Sequence, residues 1–397
     1  MAGYSVFLAD LLLLAALTGA CGSGPEGARD AGTGADRAWD TGPDLPPARA
    51  CRPDPGAAVL EVVNGGPWEA PAFTAGVLLP GDVPGVAWGD TATGGLRFSR
   101  RVGGLWETAS VAPGEAVIGP WIGRSVAAVA LPDGRPAVAF YDHREQHLRL
   151  AVELGDAWVL ETVDPQPAAG CDVAAAVGGD GLLRIAYLDL LRGDLRFAEG
   201  IPGDWTVSVL EEEGHVGNDP SLALASGGDV HLAWYACGAL GTAGCTLGDL
   251  RYGLRSEGIF QAETLDEEGD TGWYASMALG TDGRVHIAYH DHGGGRLRYA
   301  QGTGGAWIVE TVASGEAAGE FASLVLVDDL PWVAWRDGGA ETLRLSHRDA
   351  QGDWSTWDLD PGGEGRYASL LAAPSCGLLC AWASRDSIRS ARLPGVR

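Results

Sequence analysis

Two groups of histidines stand where imidazole chemistry could occur: His290-Asp291-His292, and His143 with His147. An imidazole on either side of a carboxylate can hold a metal ion or pass a proton. Both groups lie in turn-rich sequence, so solvated loop histidines are the simpler reading. His290, Asp291 and His292 stand as weak metal candidates, and no metal site is assigned. Carboxylates are far more numerous. Glu211-Glu212-Glu213 with Asp219, Asp266-Glu267-Glu268 with Asp270, and Asp358, Asp360 and Glu364 form clusters whose hard oxygens would suit Ca²⁺, the one cofactor left open.

No residue is assigned a catalytic role. The chain has no G-x-S-x-G elbow, phosphate-cradling glycine loop or H-E-x-x-H helix. Glycoside hydrolysis by two carboxylates stays open because so many acids are present, but sequence does not give their separation. The formal charge of −26 comes from 53 acidic and 27 basic residues, all the basic ones arginine. Such a surface repels phosphate backbones, which argues against nucleic acid, and the absence of lysine excludes Schiff-base chemistry.

These side chains must be positioned by a repeat. A small residue followed by an aromatic returns as Ala87-Trp88, Ala139-Phe140, Ala186-Tyr187, Ala233-Trp234, Ala288-Tyr289, Ala334-Trp335 and Ala381-Trp382. Successive alanines are 52, 47, 47, 55, 46 and 47 residues apart. The fifth unit shows the parts most clearly: Ala275 to Leu279, an Asp282-Gly283 turn, Val285 to Tyr289, Leu297 to Tyr299, and Trp307 to Val312. Asp-Gly between alternating segments signals a hairpin, and Asp133-Gly134 and Asp180-Gly181 repeat it. Four short strands per period of 40 to 50 residues is the pattern of a propeller blade.

The ends of the pattern predict how the ring closes. The seventh unit stops after Ile388-Arg389-Ser390 without a fourth strand, while Val59-Leu60-Glu61-Val62-Val63 matches the fourth strand of other units. An amino-terminal strand completing the last blade would cover its open edge. The expected fold is therefore all-β: a seven-bladed β-propeller of four-stranded blades over residues 51–397.

Within a unit, the recurrent Asp90, Asp142, Asp189, Asp291 and Asp337 are expected to cap turns of their own blade. Their expected partners are the recurrent Arg97, Arg149, Arg196, Arg251, Arg298, Arg344 and Arg389. Function should sit where the copies differ. At the mouth of the innermost strand the units carry Phe73, Ser125, Asp172, Asp219, Tyr274, Phe321 and Tyr367. With Trp121 and Trp273 nearby, half the rim would offer flat apolar rings and half hydrogen-bond acceptors, a combination suited to a sugar or a peptide loop. The simpler alternative is that the rings plug the tunnel.

Seven cysteines divide into Cys21 and six that can oxidise in an exported protein. Cys237 and Cys245 flank the insertion that lengthens the fourth unit and are expected to pair; Cys376 and Cys380 flank the first turn of the seventh and are the second expected pair. Cys51 at the bottom of the ring and Cys171 at the top would then be left over. No C-x-x-C spacing points to zinc.

Val6 to Leu17 is apolar apart from Asp10 and is followed by Leu17-Thr18-Gly19-Ala20-Cys21. This resembles the bacterial lipobox, which implies a signal peptide over residues 1–20 and a lipidated Cys21. Residues 21–50 are rich in Gly, Pro, Ala and Asp and read as a disordered tether. The repeats themselves are similar to seven-bladed propellers of the sialidase-like, lectin-like kind in bacterial secreted proteins. The lipobox resemblance implies an anchor in a membrane of the cell envelope, with the body facing periplasm or exterior and touching the membrane only through that anchor; the ring itself is expected to be a monomer. The arginine triad, the tyrosine nucleophile and the Ser-x-Asp-x-Gly-x-Thr-Trp boxes of catalytic sialidases cannot be placed here. A non-catalytic recognition module for carbohydrate or protein is the expected function, with a sialidase-like glycoside hydrolase as the alternative.

Overall fold

The repeats fold into seven four-stranded antiparallel sheets, six of them simple meanders and the seventh completed by a strand from the amino-terminal end. The computed structural model describes residues 51–65, 73–112, 126–238, 245 and 247–396. Residues 1–20 and 21–50, with Cys21, lie outside the described residues, as do Trp121 and Ser125. The first blade comprises Thr74–Leu79, Val83–Asp90, Gly95–Val102 and Leu105–Ala112, and the second Val126–Ala130, Pro136–Asp142, His147–Leu154 and Ala157–Asp164. The third comprises Ala169–Val177, Leu183–Asp189, Asp194–Ile201 and Asp204–Glu211, and the fourth His215–Leu224, Val230–Cys237, Asp249–Ser256 and Ile259–Asp266. The fifth comprises Thr271–Leu279, Val285–Asp291, Arg296–Thr303 and Ala306–Ser314, and the sixth Ala318–Val327, Leu330–Asp337, Thr342–Arg348 and Trp354–Asp360. The seventh takes Arg366–Ala372, Leu378–Ala383 and Ser387–Leu393 from one end of the chain and its outer strand, Val59–Gly65, from the other.

Burial follows from position in the blade. Second strands such as Pro136–Asp142 and Val285–Asp291 are buried at every residue, because neighbouring blades cover both their faces. Outer strands such as Ala157–Asp164 mix exposed and half-buried residues along most of their length, as a strand with one wet face must, and become buried only at Val163 and Asp164. The main apolar clusters each span one junction: Phe98 with Val138 between blades one and two, Tyr299 with Trp335 between five and six, Trp88 with Ala381 between seven and one. The turns are as expected: Gly134, Gly181 and Gly283 have φ of 80–86°, which a β-carbon would strain.

Innermost strands touch all the way round, the seventh against the first. Serine hydroxyls stitch five of them together. Ser221, Ser276, Ser323 and Ser369 each accept, at 2.9 Å, a backbone N–H of the next blade: Met277, Leu324, Leu370 and Gly76.

Closure is by the expected strand. Val59 to Val62 register against Arg392 to Arg389, and a two-residue bridge pairs Arg52 with Val396. The cysteines follow this closure and correct one expectation. Cys237 pairs with Cys245, but Cys376 pairs with Cys51, at a Cα separation of 5.3 Å, and Cys380 is free. Cys376 sits in the hairpin turn, its N–H on the Ala373 carbonyl, whereas Cys380 lies within the strand opposite Leu370, fully buried in the junction between blades six and seven. Four residues of largely extended chain put them on the order of 10 Å apart, beyond the reach of a disulfide. Cys171 is free and buried, and burial pushes the Cys380 thiol up to about 12.

Candidate functional site

The rim is built by a recurring local device. Asp172, Asp219, Tyr274, Phe321 and Tyr367 all have left-handed backbones, with φ between 46° and 55°, at bulges in their inner strands. Non-glycine residues adopt this conformation only where the surroundings impose it. Two residues before each stands a glycine. At Gly272 φ is 108° and a β-carbon would lie 2.8 Å from the Leu250 backbone of the preceding blade. The close approach of blades therefore requires glycine there, and the bulge that follows turns the rim residue.

The four aromatic rim residues come together as one arc. Ring centroids are 4.5 Å apart for Tyr274 and Phe321, 4.5 Å for Phe321 and Tyr367, and 4.8 Å for Tyr367 and Phe73. Phe73 and Phe321 are buried, while Tyr274 and Tyr367 are half-buried. Burial pushes the Tyr367 phenol up to about 12 and the Tyr274 phenol well above its ordinary range, the Asp219 charge adding to the latter. Asp172 and Asp219 complete the rim but are turned to their neighbours. Asp219 N–H donates to Asp172 Oδ2 at 3.3 Å, and Tyr274 N–H to Asp219 Oδ2 at 3.0 Å.

Outside the arc, at the junction of blades four and five, a second aromatic group gathers on Asp270. Its Oδ1 accepts the Tyr235 hydroxyl at 2.8 Å, the Trp273 indole N–H at 3.1 Å and the Gly248 N–H at 3.1 Å. Its Oδ2 faces His292 Nδ1 at 3.2 Å. Held this way, Trp273 lies against Tyr235 with centroids 4.4 Å apart, and the Tyr274 ring is 6.3 Å away. His292, 66% exposed, borders the half-buried indole. The result is a platform of flat rings with fixed polar atoms around it.

The His290-Asp291-His292 triplet is divided among three tasks. His290 is buried, its Nδ1 is 2.8 Å from the Ala318 carbonyl, and burial lowers its pKa. Asp291 accepts the Gly294 N–H at 2.7 Å and pairs with Arg296, while His292 faces Asp270.

The recurrent carboxylates are occupied within the blades. Asp90, Asp142, Asp189 and Asp337 accept loop N–H groups of Ala92, Arg144, Leu191 and Ala340 at 3.0–3.2 Å. The recurrent arginines pair with them or with the preceding blade: Arg97–Asp90 at 3.0 Å, Arg149–Asp142 at 3.2 Å, Arg298–Asp266 at 2.7 Å and Arg389–Asp360 at 3.1 Å. Three carboxyls on this face stand above the usual range: Glu211, Asp194 and Asp249, each chiefly through burial, with Glu267 and Asp266 repelling the charge of Asp249. Glu211 is paired with Arg251 at 2.7 Å. The between-blade loops and the hairpins bearing these acids share a face, since His292 N–H bonds the Asp270 carbonyl and Leu190 N–H that of Ala168.

The platform's partners were hard to see in sequence, because Tyr235, Asp270 and Trp273 belong to two blades. The glycine two positions ahead of Asp172, Asp219, Tyr274, Phe321 and Tyr367 is a signal that was open to reading.

No protein-family model matches the chain, and no curated protein is similar to it in sequence. Solved structures share the fold. An ulvan lyase, a polysaccharide lyase, matches at 13% identity and a TM-score of 0.57 over 84% of this chain and 95% of its own. The Aleuria aurantia lectin, solved with Fucα1-6GlcNAc, matches at 14% identity and a TM-score of 0.50 over 75% and 97%. A protein of unknown function from Dyadobacter fermentans matches at 11% and 0.52, over 88% and 100%. The chain is thus a β-propeller with lectins and polysaccharide lyases among its structural neighbours.

Proposed function

We propose that this propeller is a recognition module for carbohydrate, binding on the face that carries the between-blade loops. The observation that carries the reading is the Trp273 platform, a half-buried indole fixed by Asp270 against Tyr235, with the exposed imidazole of His292 alongside. Flat rings pack against the C–H faces of sugars, and preset polar groups select hydroxyls. The lectin neighbour was solved with a fucosylated sugar and another neighbour is a polysaccharide lyase, which supports a carbohydrate over a protein ligand. In this reading the aromatic arc of Phe73, Tyr274, Phe321 and Tyr367 closes the tunnel mouth beside the platform. Lipid on Cys21 and the tether of residues 21–50 would hold the ring at a membrane of the cell envelope.

Hydrolysis is the second reading, and the raised carboxyls favour it: burial, with Glu267, Asp266 and Asp270 nearby, pushes the Asp249 carboxyl up, the direction a general acid needs. A glycan-array screen of the full chain, run beside a generic glycosidase assay, separates the two. Retained binding without turnover, lost in Trp273→Ala, is the expected result; turnover without retained binding overturns the recognition reading.

A further inference from the structure

Among the described residues a single group combines three potential metal-ligand side chains: His215, Cys237 and Cys245, whose donor atoms all lie within 4.8 Å of one another. We propose that this corner of blade four is a disulfide-gated site for a thiophilic divalent ion of the zinc class, closed when Cys237 and Cys245 are joined and open when they are reduced.

The framework is rigid where a site needs it to be. His215 begins the inner strand and Cys237 ends the second, and the two are direct partners in the ladder. Two of the three ligands are therefore set by sheet register, and the insertion loop delivers the third. Cys245 Sγ lies 3.9 Å from His215 Nδ1. Ligand atoms around tetrahedral zinc, with bonds of about 2.0 to 2.3 Å, sit roughly 3.5 to 3.8 Å apart, so the imidazole and one sulfur already have nearly the required spacing.

A second observation concerns the imidazole itself. His215 is 6% exposed, and its Nδ1, on the side of the Cys245 sulfur, faces the Asn218 amide at 3.0 Å. A metal at Nδ1 would displace that amide. An entry path exists: a cleft of about 240 Å³, lined by Leu191, Arg192, Gly193, Gly214 and Gly238, opens on His215. A β-carbon at Gly214 would stand 2.7 Å from the Cys237 carbonyl, so glycine is required where the cleft wall passes close to the Cys237 backbone. Water or a small anion from the cleft would take the fourth position.

The disulfide blocks the site because its sulfurs are not thiolates. A phosphine reductant breaks the S–S bond, supplies two electrons and leaves as phosphine oxide with an oxygen from water; two protons complete the thiols. Binding the ion then releases those two protons. The inference does not depend on the carbohydrate reading.

The test uses Co²⁺ as the probe on the full chain, reduced with a phosphine that is then removed. One ion per chain, with a thiolate-to-cobalt absorption band, is expected in the reduced protein, and no band in the oxidised one. His215→Ala should weaken binding at least tenfold, and Cys237→Ser/Cys245→Ser should abolish the band. Peptide mass spectrometry after alkylation should show Co²⁺ protecting Cys237 and Cys245 specifically. Absence of the band, its persistence in the double variant, protection at other cysteines alone, or loss of the β signal in circular dichroism on reduction would each overturn the proposal.

Discussion

Glu61 on the amino-terminal strand accepts the indole N–H of Trp106, on the first blade, at 3.0 Å. The same carboxylate takes two bonds from Arg101 at 2.9 and 2.8 Å. Equivalent latches join Glu161 to Trp205, Glu263 to Trp307 and Glu310 to Trp354, across the second-to-third, fourth-to-fifth and fifth-to-sixth junctions. Where the fourth blade has Phe260, which offers no N–H, the third has Ser208 in the acceptor position. The seventh-to-first junction, whose outer strand comes from the amino-terminal end, is thus fastened as three of the junctions within the continuous chain are.

Glu61→Ala should therefore destabilise the ring by about 1–2 kcal/mol, since three charge-assisted bonds at a partly buried site are lost. Glu161→Ala should cost somewhat less, as it lacks the arginine. Equilibrium denaturation with tryptophan fluorescence would measure both.

Acid should reveal the same latch. The Arg101 bond holds the Glu61 carboxyl below its ordinary 4.5, opposing the effect of burial. A depressed folded pKa contributes stability above the unfolded value, and that contribution is lost as pH falls through the folded one. Stability should drop below about pH 4.5, and Glu61→Gln should flatten part of that drop; an unchanged profile would contradict the assignment. Arg184 holds Asp180 at about 2, so its share is lost only at still lower pH.

Alkali acts on the rim. Burial raises the Tyr367 phenol from 10.0 to about 12, so the folded state keeps a proton that the unfolded chain releases. Stability should fall as pH rises from about 10 to 12, and Tyr367→Phe should lessen the fall. Phenolate absorbance, titrated beside thermal melting, would follow it.

At the platform, Trp273→Ala should weaken binding of any glycan found on the array by about tenfold or more, while Trp273→Phe keeps part of the affinity. Trp273→Phe should melt close to the native chain, because it keeps a ring against Tyr235, while Trp273→Ala, which loses that ring contact and the bond to Asp270, should melt somewhat lower. A large loss of stability without loss of binding would move the site elsewhere.

The blade count, the strand pattern and the closing strand were legible because each repeat writes the same local signals, and Val59 to Val63 carries the outer-strand signature in isolation. The rim position was legible too, since its chemistry changes from aromatic to polar between blades. Its packing was not: the contact between Phe73 and Tyr367 joins residues 294 positions apart and depends on the bulge angle at each mouth. The partner of Cys376 was equally hidden. Spacing favours the nearest cysteine, whereas the path of the chain before Val59 brings Cys51 back along the bottom of the seventh blade.

That last relationship offers the most direct test of the closed ring on which every shared-face argument depends. Digestion of the unreduced protein followed by mass spectrometry should yield a single cross-linked species joining the peptides of Cys51 and Cys376, with Cys380 as a free thiol. A Cys376–Cys380 link with Cys51 free would separate the amino-terminal segment from the seventh blade and contradict the closure.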